Sequence, residues 1–237
     1  MIDVVPMKRI GILGGSSDQA TADYYRRLNR AIKDRAGGLN TAELLINSMN
    51  FALAARGVKE NRWDELGDYL AERALWLERA GADLLICVSN TLHTVSERFI
   101  RDVRIPFLHI VDPTAQAICA QGFGRVGLLG TQAVMSGTHA KHRFWKHFGI
   151  DVVVPDELSQ RRVDEIIFNE LCAGEFNDQA RHDYLRIIAR LHQQGAQGVI
   201  LGCTEIPLLI QQHHCPDIPL WDMTALHVDK AVELVLS

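Results

Sequence analysis

Three short motifs occur twice along this chain, in the same order and at nearly equal spacing. The stretch RIGILGG at 9–15 returns as RVGLLGT at 125–131, and GADLLI at 81–86 returns as GAQGVI at 195–200. A third pair, IPFL at 105–108 and IPLW at 218–221, follows at matching distances. Such self-similarity indicates one structural arrangement encoded twice. We therefore expect two similar lobes, over residues 1–121 and 122–237, related by a pseudo-twofold axis with an active-site cleft between them.

Short apolar runs alternate with amphipathic stretches, which is typical of βα units around buried parallel strands. The fold class is therefore predicted to be α/β, with two Rossmann-like lobes. Gly81 and Gly195 each follow a predicted helix, where a left-handed residue ends the helix with least strain. The predicted strands cover 9–13, 43–48, 84–88, 107–109, 125–129, 151–154, 198–201 and 220–221. The predicted helices cover 20–35, 63–80, 164–172, 183–194 and 224–236.

Composition excludes several classes of function. A net charge of −4 without any basic block argues against nucleic acid as a partner. No apolar run approaches the roughly 20 residues that span a bilayer, and the first residues lack the features of a signal peptide. The five cysteines are odd in number and lack CxxC spacing, which favours reduced thiols in the cytoplasm over disulfides or a zinc site.

Ser89 and Cys203 occupy the same place in the repeat, each eight residues after its Gly-Ala pair. Both follow a predicted strand, at the carboxyl edge where α/β sheets bind ligands. We therefore expect the hydroxyl and the thiol to face each other across the cleft. A helix N-terminus expected after Cys203 would lower its thiol pKa from about 8.5 and supply a thiolate as nucleophile or base. The other cysteines, Cys87, Cys119, Cys172 and Cys215, are interpreted as small buried hydrophobes.

Short polar residues surround these two positions in the sequence. They can hydrogen-bond a carboxylate without adding bulk, although each is also an ordinary helix cap. The glycine-rich turn after the first strand is either a tight turn or an anion site built from backbone N–H groups. His93 and Glu205 are further candidates, with surface or structural roles as the alternative. The candidate binding residues are Gly15, Ser16, Asn90, Thr91, His93, Thr131, Thr204 and Glu205.

These residues resemble the aspartate/glutamate racemase family, which racemises acidic amino acids without pyridoxal phosphate or another cofactor. The resemblance covers nearly the whole chain and is carried by GG at 14–15, NT at 90–91, LLGT at 128–131 and GCTE at 202–205. In that family one cysteine precedes Asn-Thr and another precedes Thr-Glu, and each serves one face of the substrate. The resemblance implies a small acidic amino acid as substrate, a homodimer, and Cys203 as the base for the L-isomer.

The chain departs from the family pattern at Ser89, where the first cysteine belongs. A serine hydroxyl is too weak an acid to act as a base at neutral pH, but it can return a proton to a carbanion. Cys87 lies about 6.6 Å further down the strand and is too deep to substitute. A bacterial branch of L-aspartate/glutamate-specific racemases, with Thr here and one catalytic cysteine, is more similar. Ser89 is thus either native or an engineered Cys→Ser substitution.

A second departure concerns the distal carboxylate of the substrate. Other aspartate racemases hold it with an Arg after the second strand and a Lys at the position of Cys172. A buried carboxylate needs a partner of opposite charge. Here Arg56, Lys59, Arg62 and His93 are the candidates, and the preference for aspartate or glutamate stays open.

Two other functions fit the same residues. The scaffold resembles arylmalonate decarboxylases and maleate isomerases, which would use Cys203 without exchanging an amino-acid α-proton. The second alternative is a catalytically impaired protein that binds a dicarboxylate and has lost turnover with its first thiol.

Overall fold

The computed structural model describes residues 5–237. Contacts within the chain divide it into two compact units. The first ends at Ile110 and also contains His227–Ser237, and the second is formed by Val111–Leu226. None of the helices in the described part of the chain is both long and apolar enough to span a bilayer.

The first unit is built around a four-stranded parallel sheet. Its strands are β1 (Ile10–Gly14), β2 (Leu44–Ser48), β3 (Leu84–Cys87) and β4 (Phe107–Leu108). They are arranged in the order β2-β1-β3-β4. The helices of this part of the chain are α1 (Asp18–Ala36), α2 (Phe51–Lys59), α3 (Trp63–Arg79) and α4 (Ser96–Phe99).

The second unit repeats this arrangement. Its strands are β5 (Arg125–Leu129), β6 (Asp151–Val153), β7 (Val199–Leu201) and β8 (Leu220–Asp222), in the parallel order β6-β5-β7-β8. The remaining helices are α5 (Val111–Ala120), α6 (Gln132–Ser136), α7 (His139–Phe148), α8 (Glu157–Asn169), α9 (Asp178–Gln193), α10 (Ile206–Leu209) and α11 (Met223–Leu236). Two parallel sheets with one strand order confirm the predicted α/β class.

The repeated motifs make equivalent hydrogen bonds in the two units. The Asp83 carboxylate accepts from the Arg9 N–H at 2.7 Å, while the Asp83 N–H donates to the Arg9 carbonyl at 2.8 Å. In the second unit the Gln197 side-chain oxygen accepts from the Arg125 N–H at 3.0 Å, and the Gln197 N–H donates to the Arg125 carbonyl at 2.8 Å. The polar residue after each Gly-Ala pair therefore aligns the third strand of each unit with the first.

The two helix-ending glycines behave as predicted. Gly81 has a φ of +95° and Gly195 a φ of +93°. This region of φ is strained for residues with a Cβ. Each glycine reverses the chain between a long helix and the next buried strand, so β3 and β7 enter their sheets in the same way.

Apolar side chains cover both faces of the first sheet. Ile10 and Ile12 of β1 belong to a core cluster that includes residues of α1 and α11. Leu13 lies in a second cluster, with α3. Burial on both faces explains why the strands are continuous apolar runs. Val232 of α11 packs in the first of these clusters. The C-terminal residues His227–Ser237 therefore belong to the first unit, and the second unit begins at Val111. The division expected from the sequence was at 121/122.

One predicted helix is placed wrongly and several are absent from the prediction. The helix expected over 164–172 begins at Glu157, because the Asp156 side chain caps it by accepting from the Ser159 N–H at 3.0 Å. It ends at Asn169, before a short 3₁₀ turn and left-handed Gly174. The sequence pattern does not predict the helices α2, α5 and α7. Their apolar faces are short, with few turns over which a helical period can be read.

Candidate active site

The turn after β1 is closed by backbone contacts that only glycine permits. Gly15 has a φ of +80°, and a Cβ placed there would come within 2.1 Å of the Met49 carbonyl oxygen. Its N–H donates to the Thr21 hydroxyl at 2.8 Å. The Ser17 side chain caps α1 by accepting from the Ala20 N–H at 2.9 Å. The geometry therefore favours the tight-turn interpretation, because the Gly15 N–H that had been assigned to an anion is already used.

Ser16 connects this turn to the end of β3. Its hydroxyl donates to the Val88 carbonyl at 3.3 Å. Val88 in turn donates its N–H to the Leu13 carbonyl at 3.1 Å. The two strand ends are thereby held together within the first unit, and Ser16 reaches the segment that leads to Ser89.

Ser89 follows β3 and begins a turn that continues into a 3₁₀ helix over Thr91–Val95. Its hydroxyl accepts a long hydrogen bond of 3.4 Å from the Leu92 N–H. The proton of the hydroxyl is not used in that bond. Asn90 and Thr91 are partly buried beside it. The structure thus brings Ser16, Ser89, Asn90 and Thr91 to one edge of the first sheet.

His93 is fully buried and hydrogen-bonded to the backbone through both ring nitrogens. Its Nε2 accepts from the Ile110 N–H at 3.2 Å, so the single proton of the neutral ring lies on Nδ1. That N–H donates to the Ser89 carbonyl at 2.7 Å. This tautomer is uncharged, and its one N–H is used in the hydrogen bond to the Ser89 backbone. The geometry favours a structural role, in which His93 holds the Ser89 backbone, over a role in binding a substrate carboxylate.

The other thiol of this region is confirmed as a buried structural group. The Cys87 side chain is fully buried. Burial raises the pKa of its thiol to about 12. It therefore stays protonated near neutral pH, and it does not replace the family cysteine at position 89.

The arginines proposed for the distal carboxylate lie on the surface of the first unit. Arg56 is paired with Glu60 at 2.8 Å, and its side chain is 73% exposed. Arg62 is paired with Glu60 at 3.4 Å and also with Glu65. Lys59 is exposed as well. These positions favour solvated ion pairs over a buried binding role.

In the second unit Cys203 and Thr204 converge on one buried carboxylate. The Cys203 thiol donates to Glu205 Oε2 at 3.0 Å, and the Thr204 hydroxyl donates to the same oxygen at 2.6 Å. Glu205 is only 5% exposed. A carboxyl oxygen has two lone pairs and can accept from both donors at once. The three residues form one hydrogen-bonded group directly after β7.

The expected lowering of the Cys203 pKa is wrong. Burial raises the thiol pKa well above its ordinary value, and the charge of the adjacent Glu205 and its hydrogen bond raise it further. The following helix, α10, spans only Ile206–Leu209. Its weak N-terminal dipole does not offset a carboxylate in direct contact. Cys203 is consequently a thiol at rest, with Glu205 as the group that accepts its hydrogen bond.

Two further residues complete the edge of the second sheet. Thr131 caps α6 by accepting from the Val134 N–H at 3.4 Å, which is the ordinary capping role. Asp164 accepts from the Gln132 N–H at 2.6 Å, and burial raises the pKa of its carboxyl. Sequence reasoning missed Asp164, because the residue is distant in the chain from the repeated motifs and carries no signal of its own.

The remaining cysteines differ in exposure. Cys172 and Cys215 are partly buried, whereas Cys119 is exposed, so the interpretation of Cys119 as a buried hydrophobe is wrong. Its helix, α5, presents this residue to solvent. In the described part of the chain, no cluster of three or more His, Cys, Asp or Glu side chains is arranged to hold a metal ion.

Comparison with known proteins gives matches along most of the chain. A family model described as Asp/Glu/Hydantoin racemase matches residues 10–231. A glutamate racemase from Desulforudis audaxviator is 33% identical over 71% of this chain, and the match spans 62% of the length of that protein.

Two solved structures cover nearly the full length of both chains. A protein from Yersinia pestis, proposed to be an Asp/Glu racemase, is 36% identical with a TM-score of 0.89, over 96% of this chain and 99% of that one. An aspartate racemase homologue from Pyrococcus horikoshii is 33% identical with a TM-score of 0.84, over the same shares. From the residues matched and the shared architecture, this chain belongs to the Asp/Glu/hydantoin racemase family.

Proposed function

We propose that this protein racemises an acidic amino acid, L-aspartate or L-glutamate, without a cofactor and with Cys203 as the base. The observation that carries the proposal is the hydrogen bond of 3.0 Å from the Cys203 thiol to the buried Glu205 carboxylate. The thiol thus lies against a carboxylate that can take its proton. This contact supplies what a resting thiol needs in order to become a base, namely an adjacent proton acceptor.

The base is generated by proton transfer within the Cys203–Glu205 pair. At rest the pair holds one negative charge, on Glu205. Transfer of the thiol proton to Glu205 moves this charge to sulfur without changing the total charge of the buried pair. The thiolate then takes the α-proton of the L-isomer, and the electron pair of the Cα–H bond moves onto the substrate carboxylate.

The proton is returned to the opposite face of Cα by Ser89 in this proposal. Ser89 holds in the first unit the place that Cys203 holds in the second, two residues beyond the third strand. The resulting alkoxide recovers a proton from water, while Glu205 releases its extra proton to water, so the cycle is balanced. A hydroxyl is a much weaker acid than a thiol, and this half of the reaction is expected to be slow.

Binding of the substrate is assigned to the polar residues at the strand ends. Asn90 and Thr91 are the proposed donors to the α-carboxylate, and they would also stabilise the enolate charge as it develops. The single proton of the Thr204 hydroxyl is used in its hydrogen bond to Glu205. The hydroxyl oxygen can therefore only accept a hydrogen bond from a substrate. Thr204 is therefore better suited to the substrate ammonium group than to its carboxylate.

Exchange of the α-proton in D2O, followed by NMR for both isomers of aspartate and glutamate, tests this function. Wild-type protein should exchange the L-isomers, and Cys203→Ala should abolish exchange. Cys119→Ala removes an exposed thiol and is the matched control that should retain it. Ser89→Cys should speed formation of the D-isomer. Undiminished exchange in Cys203→Ala would show that the proposed base is wrong. Exchange of the α-proton only after Ser89→Cys would show that the chain with Ser89 is not an active racemase.

A further inference from the structure

Three histidines are buried next to one another in the first unit. They are His93, at the end of the turn after β3, His109, directly after β4, and His227 of α11. The centroid of the His93 ring lies 4.5 Å from that of His109 and 6.3 Å from that of His227. Histidine is the side chain that ordinarily changes its charge between pH 5 and 8. Because a charge is costly to bury, such a cluster makes the structure around it sensitive to acid.

The contacts of the His93 ring are compatible only with its neutral state. Nε2 accepts from the Ile110 N–H at 3.2 Å, and a proton added to this nitrogen would point at that N–H. A backbone N–H can only donate, so protonation breaks this hydrogen bond. The His227 ring is less constrained, because its Nδ1 is paired with the Tyr24 hydroxyl at 2.9 Å and a hydroxyl can either donate or accept. Of these two rings, His93 is therefore the one whose contact requires the neutral form.

The described ring contacts of His93 in the first unit are with uncharged groups. Phe107 and His109 face it from β4 and the segment that follows, and His227 faces it from α11. The Cys87 thiol of β3 stays protonated, because burial raises its pKa to about 12. The charged groups at the contact of α3 with α4 are three exposed carboxylates and the arginine that pairs with two of them: Asp64, Asp68, Glu97 and Arg98. Two of the three rings can themselves take up a proton in acid, and like charges at such distances repel.

The same ring holds the turn that carries Ser89. The His93 Nδ1–H donates to the Ser89 carbonyl at 2.7 Å, and the backbone N–H of His93 donates to the Asn90 carbonyl at 3.1 Å. His93 thereby joins the turn after β3 to the Ile110 backbone after β4. A protonated ring would move from the core toward water and give up both of its hydrogen bonds. The Ser89 carbonyl and the Ile110 N–H would then be released in one step.

We propose that His93 is a positioning residue that fixes the Ser89 turn only while its ring is neutral, so that acid releases the turn from the end of β4. The residue acts through the Ser89 backbone and needs no contact with substrate. The release itself is independent of the proposed function. Its consequence for the reaction, a loss of proton return by Ser89 in acid, rests on that function.

The test is the protection of the Ile110 amide against exchange in D2O, measured by NMR between pH 7.5 and 5.0 and expressed relative to an unstructured amide at the same pH. Below about pH 6.5, where histidine in an open chain takes up a proton, the released state binds one proton more than the closed state. The protection factor should therefore fall about tenfold per pH unit, or about thirtyfold over this range. A protection factor that stays constant would overturn the proposal. An equal loss at the Leu85 amide of β3, which donates to the Pro106 carbonyl at 2.8 Å, would also overturn it, because the whole unit would then be unfolding.

Variants separate a titrating ring from a merely structural one. In His93→Gln the amide can donate to one backbone group and accept from the other but does not titrate, so the fall in Ile110 protection should shrink to about threefold or less. His182→Gln is the matched control, because His182 is an exposed histidine of α9, and it should keep the wild-type pH dependence. A full pH dependence in His93→Gln that disappears in His227→Gln would assign the response to the other ring and refute the proposal.

The wild-type protein decides the matter even if His93→Gln folds poorly. Nitrogen NMR of the His93 ring should show the cationic form appearing over the same pH range in which the Ile110 amide loses protection. A cationic His93 ring beside an Ile110 amide that is still protected would refute the coupling. Since amide exchange needs no substrate, the absence of α-proton exchange would refute the proposed function without deciding the His93 result.

Discussion

Replacing Glu205 by Gln should make Cys203 more reactive toward alkylating agents and less effective as a base. The substitution keeps the size of the side chain and a hydrogen-bonding group, but it removes the negative charge in contact with the thiol. Glu205 is the main cause, after burial itself, of the raised Cys203 pKa. Its removal should therefore lower that pKa, and the thiolate fraction at neutral pH should increase.

The contact distance sets the size of the effect. Two unit charges at the 3.0 Å that separates Sγ from Oε2 repel by about 1.4 kcal/mol at the dielectric of water and about 5.5 kcal/mol at an effective dielectric of 20. The smaller value already raises the thiolate fraction about tenfold. A thiolate of lower pKa is less nucleophilic, with a Brønsted coefficient of about 0.5, so the net acceleration of alkylation at pH 7 should be at least about threefold.

The assay is the rate of iodoacetamide modification at Cys203 between pH 6 and 10, with α-proton exchange of L-aspartate measured in parallel. Glu157→Gln is the matched control, because Glu157 is an exposed carboxylate of the same unit, paired with Arg161. In Glu205→Gln, alkylation should accelerate while exchange slows, because Gln lacks the carboxylate that accepts the thiol proton in the proposed mechanism. Unchanged or slower alkylation in Glu205→Gln would refute the inference that this carboxylate suppresses thiolate formation.

Two further predictions concern stability. Gly15→Ala should destabilise the protein by about 2 to 5 kcal/mol, from left-handed strain and overpacking, because a Cβ would meet the Met49 carbonyl at 2.1 Å. Gly38→Ala, with a φ of +60° and open space around its Cβ, should cost only about 1 to 2 kcal/mol in the same urea titration; equal losses would contradict the steric argument. Burial raises the pKa of the Cys87 thiol to about 12 in the folded protein, against about 8.5 for a thiol in the unfolded chain. The contribution of this protonated thiol to the free energy of unfolding is therefore complete below about pH 8.5, and it is lost as the pH rises toward 12. At pH 10 wild type should therefore have lost about 2 kcal/mol more than Cys87→Ala, relative to pH 7, and parallel pH profiles would exclude this linkage.

Much of the fold follows from local signals in the sequence. The strands are continuous apolar runs because both faces of the first sheet are covered, and their positions are close to those predicted. Gly81 and Gly195 mark helix ends because a positive φ is a local requirement that the residue type reveals. The repeated motifs predicted two units of the same kind, because the polar residue after each Gly-Ala pair makes the same backbone contacts in both.

Other features depend on contacts between residues that are distant in the chain. The last helix belongs to the first unit because its apolar face packs in the cluster that also contains β1 residues, and no local pattern records that choice. His93 was a candidate ligand in sequence, but the Ile110 N–H and the Ser89 carbonyl determine its tautomer. The sequence offers Arg56 and Arg62 as partners for a buried substrate carboxylate, but in the structure both are paired with glutamates on the surface.

Cys203 shows most clearly the difference between what the sequence gives and what depends on the folded structure. The sequence is enough to place a thiol after β7, where the first unit has a serine, because residue identity and spacing within a repeat are properties of the chain. The sequence does not give the charge state of that thiol, which depends on its surroundings in the folded chain. A pKa depends on burial and on the charges within a few ångströms, and these are set by the fold, in which Cys203 and Thr204 both donate to the buried Glu205 carboxylate.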